Sequence, residues 1–222
     1  MKKNALIRKI IVTVAMAIFV TGCNTTKSEV IKFDPVNTPG DAILRLVKGN
    51  DAYVKAMTNN ADISLPLREK TATEGQTPYA VIITCSDSRV PPEHIFSAGV
   101  GELFVIRTAG NVVGTFELGS IEYGAEHLGA KAIVILGHSK CGAVDAAIKD
   151  AHVEGCVADI VKEIKPGISG AENADIAENL NIKNSYNKIK ESEIIAELSH
   201  SGKVVIRQAK YDIATGKVSF LD

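Results

Sequence analysis

The chain has 222 residues, of which 45% are hydrophobic and 23% charged, and its formal net charge is −1. This is the composition of a globular protein, long enough to fill one core well and short for two. A net charge so close to zero gives no electrostatic signature of nucleic-acid binding, so we expect no nucleic-acid partner.

The first residues have the pattern of an export signal. Four basic residues among the first nine precede an apolar run over 10–20. That run is shorter than the roughly 20 residues that a membrane-spanning helix needs. It ends in the sequence VTGC, which resembles the bacterial lipobox, in which the cysteine, here Cys23, is acylated and becomes the first residue of the mature protein. An uncleaved anchor helix and a buried helix are the alternatives.

These features predict a division of the chain into three parts. We expect a signal peptide at 1–22, a polar tether at 23–39 and a single domain at 40–222. The acylated Cys23 would anchor the protein to a bacterial membrane, facing outside the cytoplasm in the periplasm or at the cell surface.

Helices and strands alternate along the remaining sequence. Runs of β-branched and apolar residues predict buried strands at 80–84, 103–107 and 132–136, and two closing strands at 203–211 and 217–221. Predicted helices lie at 41–49, 115–128 and 142–150, from 159 onwards, and at 173–200. This order predicts an α/β fold with a mostly parallel sheet flanked by helices.

Two polar clusters follow predicted strands. Cys85, Asp87 and Arg89 come directly after the first strand, in the sequence CSDSR, while His138 and Cys141 follow the third, in HSKC. Ligands of open α/β sheets gather beyond the carboxyl ends of the strands. We therefore expect these side chains to meet at one edge of the sheet.

The residue types in these clusters are suited to zinc. Cys85, His138 and Cys141 would supply three ligands, which leaves one tetrahedral position open, as in catalytic sites. Zinc lowers the pKa of a bound water from about 15.7 towards 7. Asp87 is placed to orient the resulting nucleophile, and Arg89 to keep Asp87 ionised. The alternative is a disulfide between Cys85 and Cys141 beside an ordinary surface ion pair.

Longer motifs carry a family resemblance. The sequences CSDSRVPPEHIF, GELFVIRTAGNVVG, GSIEYGAEHLG and GHSKCGAV, in this order, resemble the β-class carbonic anhydrases, and the likeness runs from about Thr38 to the end. It implies a four-stranded parallel core plus a C-terminal strand, and a homodimer that in many members pairs into a tetramer. The implied activity is that of a zinc lyase that interconverts carbon dioxide and bicarbonate, with one Zn²⁺ per subunit.

The resemblance also assigns residues around the metal. The family's zinc ligands correspond to Cys85, His138 and Cys141, and its aspartate–arginine pair to Asp87 and Arg89. In some members the aspartate takes the fourth zinc position in an inactive form, so Asp87 is a candidate ligand as well.

Substrate-binding roles rest on the resemblance alone. Gln76 corresponds to an amide that donates to bicarbonate, Phe104 and Tyr123 to apolar pocket residues, and Gly142 to a glycine whose backbone contacts substrate. Without the resemblance, Phe104 and Tyr123 would be read as core residues and Gln76 as a loop amide.

One departure and two alternative functions stand beside this interpretation. Members with a non-catalytic bicarbonate site carry tryptophan where this chain has Ile82, although Arg107, from another part of that site, is present. The same metal site also suits hydrolysis of carbon disulfide or carbonyl sulfide. A non-catalytic zinc-binding surface lipoprotein is the third possibility, but it would not need Asp87, Arg89 or Gln76.

Overall fold

The computed structural model describes residues 30–56 and 61–221, and these contain a five-stranded sheet. The strands are β1 (Ala80–Thr84), β2 (Leu103–Arg107), β3 (Ala132–His138), β4 (Val205–Tyr211) and β5 (Val218–Leu221). Their spatial order is β2-β1-β3-β4-β5. The first four are parallel and β5 pairs antiparallel with β4. The predicted α/β fold, with four parallel strands and a closing C-terminal strand, is confirmed.

Eight α-helices accompany the sheet in the described part of the chain. They are α1 (Pro39–Ala56), α2 (Leu65–Glu74), α3 (Pro92–Ile95), α4 (Thr115–Glu122), α5 (Gly142–Ile148), α6 (Cys156–Ile164), α7 (Ala174–Lys190) and α8 (Glu193–His200). A turn with left-handed backbone at Gly110 and Asn111 lies at Ala109–Asn111, a short 3₁₀ turn lies at Lys165–Ile168, and α4 runs into a π-helical turn at Tyr123–His127.

Several helical boundaries differ from the sequence prediction. Helix α1 continues to Ala56, past the end predicted at Gly49. The stretch 173–200 is two helices because the Ser192 side chain accepts a hydrogen bond from the N–H of Ile195 and so starts α8. The helix predicted over 115–128 changes to π-helical geometry at Tyr123. Helix α2 was not predicted, since it buries no residue and therefore shows no apolar periodicity.

The sheet is covered on both faces, and alternate residues of β1 show it. Ala80 and Ile82 pack in one apolar cluster with α1 and α3, whereas Val81 and Ile83 pack in another with α4, α7 and α8. All five residues of β1 are buried, as expected for a strand in the middle of a parallel sheet.

Helix α7 lies unusually close to the end of β3. A Cβ atom at Gly137 would lie 2.4 Å from Cγ1 and 2.5 Å from Cδ1 of Ile182, which is fully buried on α7. Only glycine permits this approach. The helix is therefore seated directly against the residue that precedes His138.

The described part of the predicted tether packs on the domain. The guanidinium of Arg45 lies 3.4 Å from the centroid of the Phe33 ring, and Val36 packs against the core. Thr38 and Asp41 then cap α1 reciprocally, since the Asp41 carboxylate accepts the N–H of Thr38 and the Thr38 hydroxyl accepts the N–H of Asp41.

The predicted signal peptide and Cys23 lie outside the described residues. Across the residues that the structure does describe, no helix has the length and apolar character needed to cross a bilayer.

Candidate metal centre

Neighbouring strand ends bring the two polar clusters together. Cys85 directly follows β1, His138 is the last residue of β3, and Cys141 immediately precedes α5. Their potential ligand atoms all lie within 4.8 Å of one another, and all three residues are buried. The parallel topology thus brings these three side chains together, as the sequence predicted.

The state of the His138 ring indicates what this cluster can hold. Its Nδ1 lies 2.9 Å from the carbonyl oxygen of Ser139, so Nδ1 carries the proton and Nε2 keeps its lone pair. Nε2 is buried and has no hydrogen-bond partner among the described residues. Cys85 and Cys141 are free thiols, so the alternative of a disulfide between them is not formed. One nitrogen and two sulfur donors at this spacing fit zinc.

The three side chains also perturb one another's protonation. Contact with Cys141, with His138 and with the N–H of Gly110 lowers the pKa of the Cys85 thiol to about 4. Contact with Cys85, together with burial, raises the pKa of the Cys141 thiol. Burial acts to lower the pKa of His138, but contacts with Cys85 and the Ser139 carbonyl outweigh it and the pKa is raised. Of the two thiols, that of Cys85 therefore ionises more readily.

Asp87 and Arg89 form a two-pronged pair at the rim of this cluster. Arg89 donates from Nε to Oδ1 of Asp87 at 2.9 Å and from Nη2 to Oδ2 at 2.7 Å. These hydrogen bonds hold the pKa of Asp87 well below its usual range. Oδ2 of Asp87 lies 4.0 Å from Nε2 of His138. Asp87 is nevertheless not a member of the ligand cluster itself, so here it lies beside the cluster rather than in it.

Arg107 holds the loop that carries these residues. From the end of β2 it donates from Nε to the carbonyl of Cys85 at 3.2 Å and from Nη2 to the carbonyl of Asp87 at 2.7 Å. Ile82, at the position where some relatives carry tryptophan, is fully buried in β1. Arg107 therefore fixes the geometry between Cys85 and Asp87 in this structure.

The predicted substrate-binding residues fall into two places. Gly142 begins α5 beside Cys141, and a Cβ there would meet no atom within 4 Å, so its backbone faces open space. Gln76 is exposed and lies before β1, whereas Cys85 lies directly after β1. The five residues of β1 therefore separate the two side chains by about 16 Å along the strand.

Phe104 and Tyr123 lie with Gln76 at the amino ends of the strands. Phe104 is paired in register with Val81, and its ring centroid is 6.0 Å from that of Tyr123. A single chain consequently does not bring Gln76, Phe104 or Tyr123 to the metal centre.

Sequence reasoning missed two residues that support the centre from α7. Both Glu178 and Asn181 are buried. Glu178 accepts a hydrogen bond from the backbone of Cys141, and Asn181 donates one to the turn that contacts Cys85. In the sequence they are ordinary polar residues of a polar helix, and no local pattern distinguishes them.

Comparison with known proteins agrees with this geometry. A family model described as carbonic anhydrase matches residues 80–218. Carbonic anhydrase 2 of Mycobacterium tuberculosis is 35% identical over 198 residues, which cover 85% of this chain and 95% of that protein. A carbonic anhydrase of Mycolicibacterium smegmatis is 34% identical over 194 residues, covering 83% and 94%.

Solved structures give the same result. A structure from a study of two tetrameric β-carbonic anhydrases of Sordaria macrospora superposes with a TM-score of 0.65 at 25% identity, over 71% of this chain and 87% of that one. A β-carbonic anhydrase of Aspergillus fumigatus superposes with a TM-score of 0.64 at 27% identity, over 71% and 81%.

Proposed function

This chain belongs to the carbonic anhydrase family, in its β class, and we propose that it catalyses the reversible hydration of carbon dioxide to bicarbonate and a proton. Its cofactor is zinc, one ion per subunit, which Cys85, His138 and Cys141 would hold. The observation that carries this proposal is the buried Nε2 of His138, which has no partner in the described protein and lies beside two free thiols. When bound, zinc supplies a water whose pKa falls from about 15.7 towards 7.

The ion pair beside the cluster has an orienting role. An ionised carboxylate can only accept hydrogen bonds, and Arg89 keeps Asp87 ionised with both oxygens fixed. With zinc bound, Asp87 would accept the O–H of the nucleophilic water and so orient that water towards carbon dioxide. Arg107 holds the carbonyls of Cys85 and Asp87 and so keeps this acceptor at its distance from His138.

The substrate pocket requires a second copy of the chain. The distance of Gln76, Phe104 and Tyr123 from the metal centre of their own chain supports a homodimer in which they serve the partner's centre. In such a dimer the aromatic pair suits carbon dioxide, which has no dipole, and the amide of Gln76 donates to bicarbonate. Gly142 offers its backbone from the metal side. Apolar surface is left for a partner to cover, because Phe116 on α4 is 87% exposed and Tyr123, at the start of the π-helical turn, is 48% exposed.

Coexpression of two inactive variants tests the shared pocket. Cys141→Ser removes a metal ligand and Gln76→Ala removes the amide. If the pocket is shared between chains, each mixed dimer regains one intact site, so about a quarter of wild-type activity returns in a statistical mixture. If both residues served their own chain, no activity would return.

Metal content and hydration measured on one sample test the activity itself. The zinc-free protein should be inactive, and added zinc should restore stopped-flow hydration of carbon dioxide. Cys141→Ser should lose zinc and activity together, while Cys156→Ser, at an exposed thiol outside the cluster, should lose neither. Full activity without metal would contradict the proposal.

We also propose that the protein is exported and lipid-anchored through Cys23, facing the periplasm or the cell surface. The basic start, the short apolar run and the VTGC ending support this. Labelling with a radioactive fatty acid should mark the wild type and the Cys156→Ser control, but not Cys23→Ser. An unlabelled wild type would reject the anchor.

A further inference from the structure

Helix α7 buries a row of polar side chains. Glu178, Asn181 and Ser185 are three and four residues apart, so they lie on one side of the helix, and each is at most 6% exposed. Burying such groups costs free energy unless hydrogen bonds compensate for it. Their hydrogen bonds lead to the loops around the two cysteines of the metal centre.

Glu178 is bound to the Cys141 corner. Its Oε1 accepts the backbone N–H of Cys141 at 3.4 Å, and its Oε2 lies 2.7 Å from Nζ of Lys210. Lys210 is itself only 12% exposed, and its strand, β4, pairs with β3, the strand that ends at His138. The carboxylate is therefore fixed in position and its charge is compensated.

Asn181 and Ser185 are bound to the turn beside Cys85. Asn181 donates from Nδ2 to the carbonyl of Gly110 at 2.7 Å, and Ser185 donates to the carbonyl of Asn111 at 2.8 Å. Both turn residues have left-handed backbone, with φ of 68° at Gly110 and 48° at Asn111. In this conformation the N–H of Gly110 points at Sγ of Cys85, 3.3 Å away.

We infer that α7 is a positioning element of the metal centre, in which Glu178 holds the backbone of Cys141 and Asn181 holds the turn that donates a hydrogen bond to the sulfur of Cys85. This inference rests on the zinc site of the proposed function. An N–H donor on a thiolate withdraws electron density from the sulfur, and groups that orient ligands raise metal affinity. Neither residue is among the ligand atoms themselves, so both act through the loops that they hold.

Asn181→Leu tests the inference on the full chain, with Asn187→Leu, an exposed position on the same helix, as the matched control. We expect Asn181→Leu to weaken zinc binding about 10- to 100-fold in a chelator competition. In the cobalt-substituted protein, the sulfur-to-cobalt charge-transfer band should move to longer wavelength, because the Cys85 sulfur becomes richer in electrons. The control should change neither quantity.

Two further variants keep the test decisive. Asn181→Ala removes the donor without adding bulk or charge and should act like Asn181→Leu, so it replaces the leucine variant if that variant does not fold. Glu178→Gln keeps an acceptor for the N–H of Cys141 and should bind zinc more tightly than Glu178→Ala.

The inference would be overturned if both Asn181 variants had the same zinc affinity and the same cobalt band as the control. This holds even if the Asn181 variants have a lowered melting temperature. Absent hydration activity in a zinc-binding wild type would instead overturn the proposed function, and the affinity comparison would still stand.

Discussion

The contact between α7 and β3 predicts a large effect from a single methyl group at Gly137. In Gly137→Ala the new Cβ would lie 2.4 Å from Cγ1 and 2.5 Å from Cδ1 of Ile182, whose side chain is fully buried. Overpacking of this kind costs about 1–3 kcal/mol. The lower backbone entropy of alanine in the unfolded chain offsets about 0.5–1 kcal/mol of that. We therefore expect the free energy of unfolding to fall by at most about 2.5 kcal/mol.

A double-mutant cycle identifies the contact as the cause. Ile182→Ala alone removes both clashing atoms and should cost about 2–5 kcal/mol as a cavity. In the double variant the methyl group of residue 137 enters that cavity. The loss of unfolding free energy in the double variant should therefore be about 1–3 kcal/mol smaller than the sum of the losses in the two single variants.

Urea unfolding of the zinc-loaded protein, followed by far-ultraviolet circular dichroism because the chain contains no tryptophan, measures these values. Gly40→Ala is the control, since a Cβ there meets only an ordinary contact at 3.7 Å. Additivity within about 0.5 kcal/mol would refute the close seating of α7 on β3.

Three further outcomes follow from the same structure. Asp87→Asn should keep zinc but lower hydration about 10²- to 10⁴-fold, and unchanged stopped-flow rates would remove Asp87 from the mechanism. The Thr38 hydroxyl and nearby backbone N–H groups lower the pKa of Asp41 from 3.8, so its ionised form stabilises the fold above that pH and the contribution is lost as the pH falls. Asp41→Asn should accordingly lower the melting temperature more at neutral pH than in acid below the pKa of Asp41 in the folded protein, and an equal loss at both would contradict the capping role. Phe116→Asp should weaken self-association in sedimentation velocity without lowering the secondary-structure content, and unchanged sedimentation would exclude α4 from the interface.

The metal ligands were predictable because their signals are local. Cys85 and His138 end strands whose continuous apolar runs identify them as buried and parallel. The rule that parallel strands collect ligands at their carboxyl ends then joins residues more than fifty positions apart. The roles of Asp87 and Arg89 were also inferred locally, from their positions two and four residues after Cys85, and the family resemblance assigned the same pair. Their two hydrogen bonds agree with that inference.

Other parts of the site depend on contacts that no short segment encodes. Glu178 and Asn181 become functional only because α7 docks against β3 and the turn at Gly110, and in sequence they resemble solvated helix residues. Gln76 and Tyr123 matched the family position by position, but residue matching does not reveal at which end of the sheet a side chain lies, or which chain's centre it serves.

The stacking of Phe33 on Arg45 fastens the chain to the domain ten residues after Cys23. Ten residues reach at most about 35 Å when fully extended. An acyl group on Cys23 would therefore hold Phe33 within that distance of the lipid headgroups, and the domain beside the membrane. Protons and bicarbonate would then be produced and consumed next to the bilayer surface, from which they diffuse into the surrounding compartment.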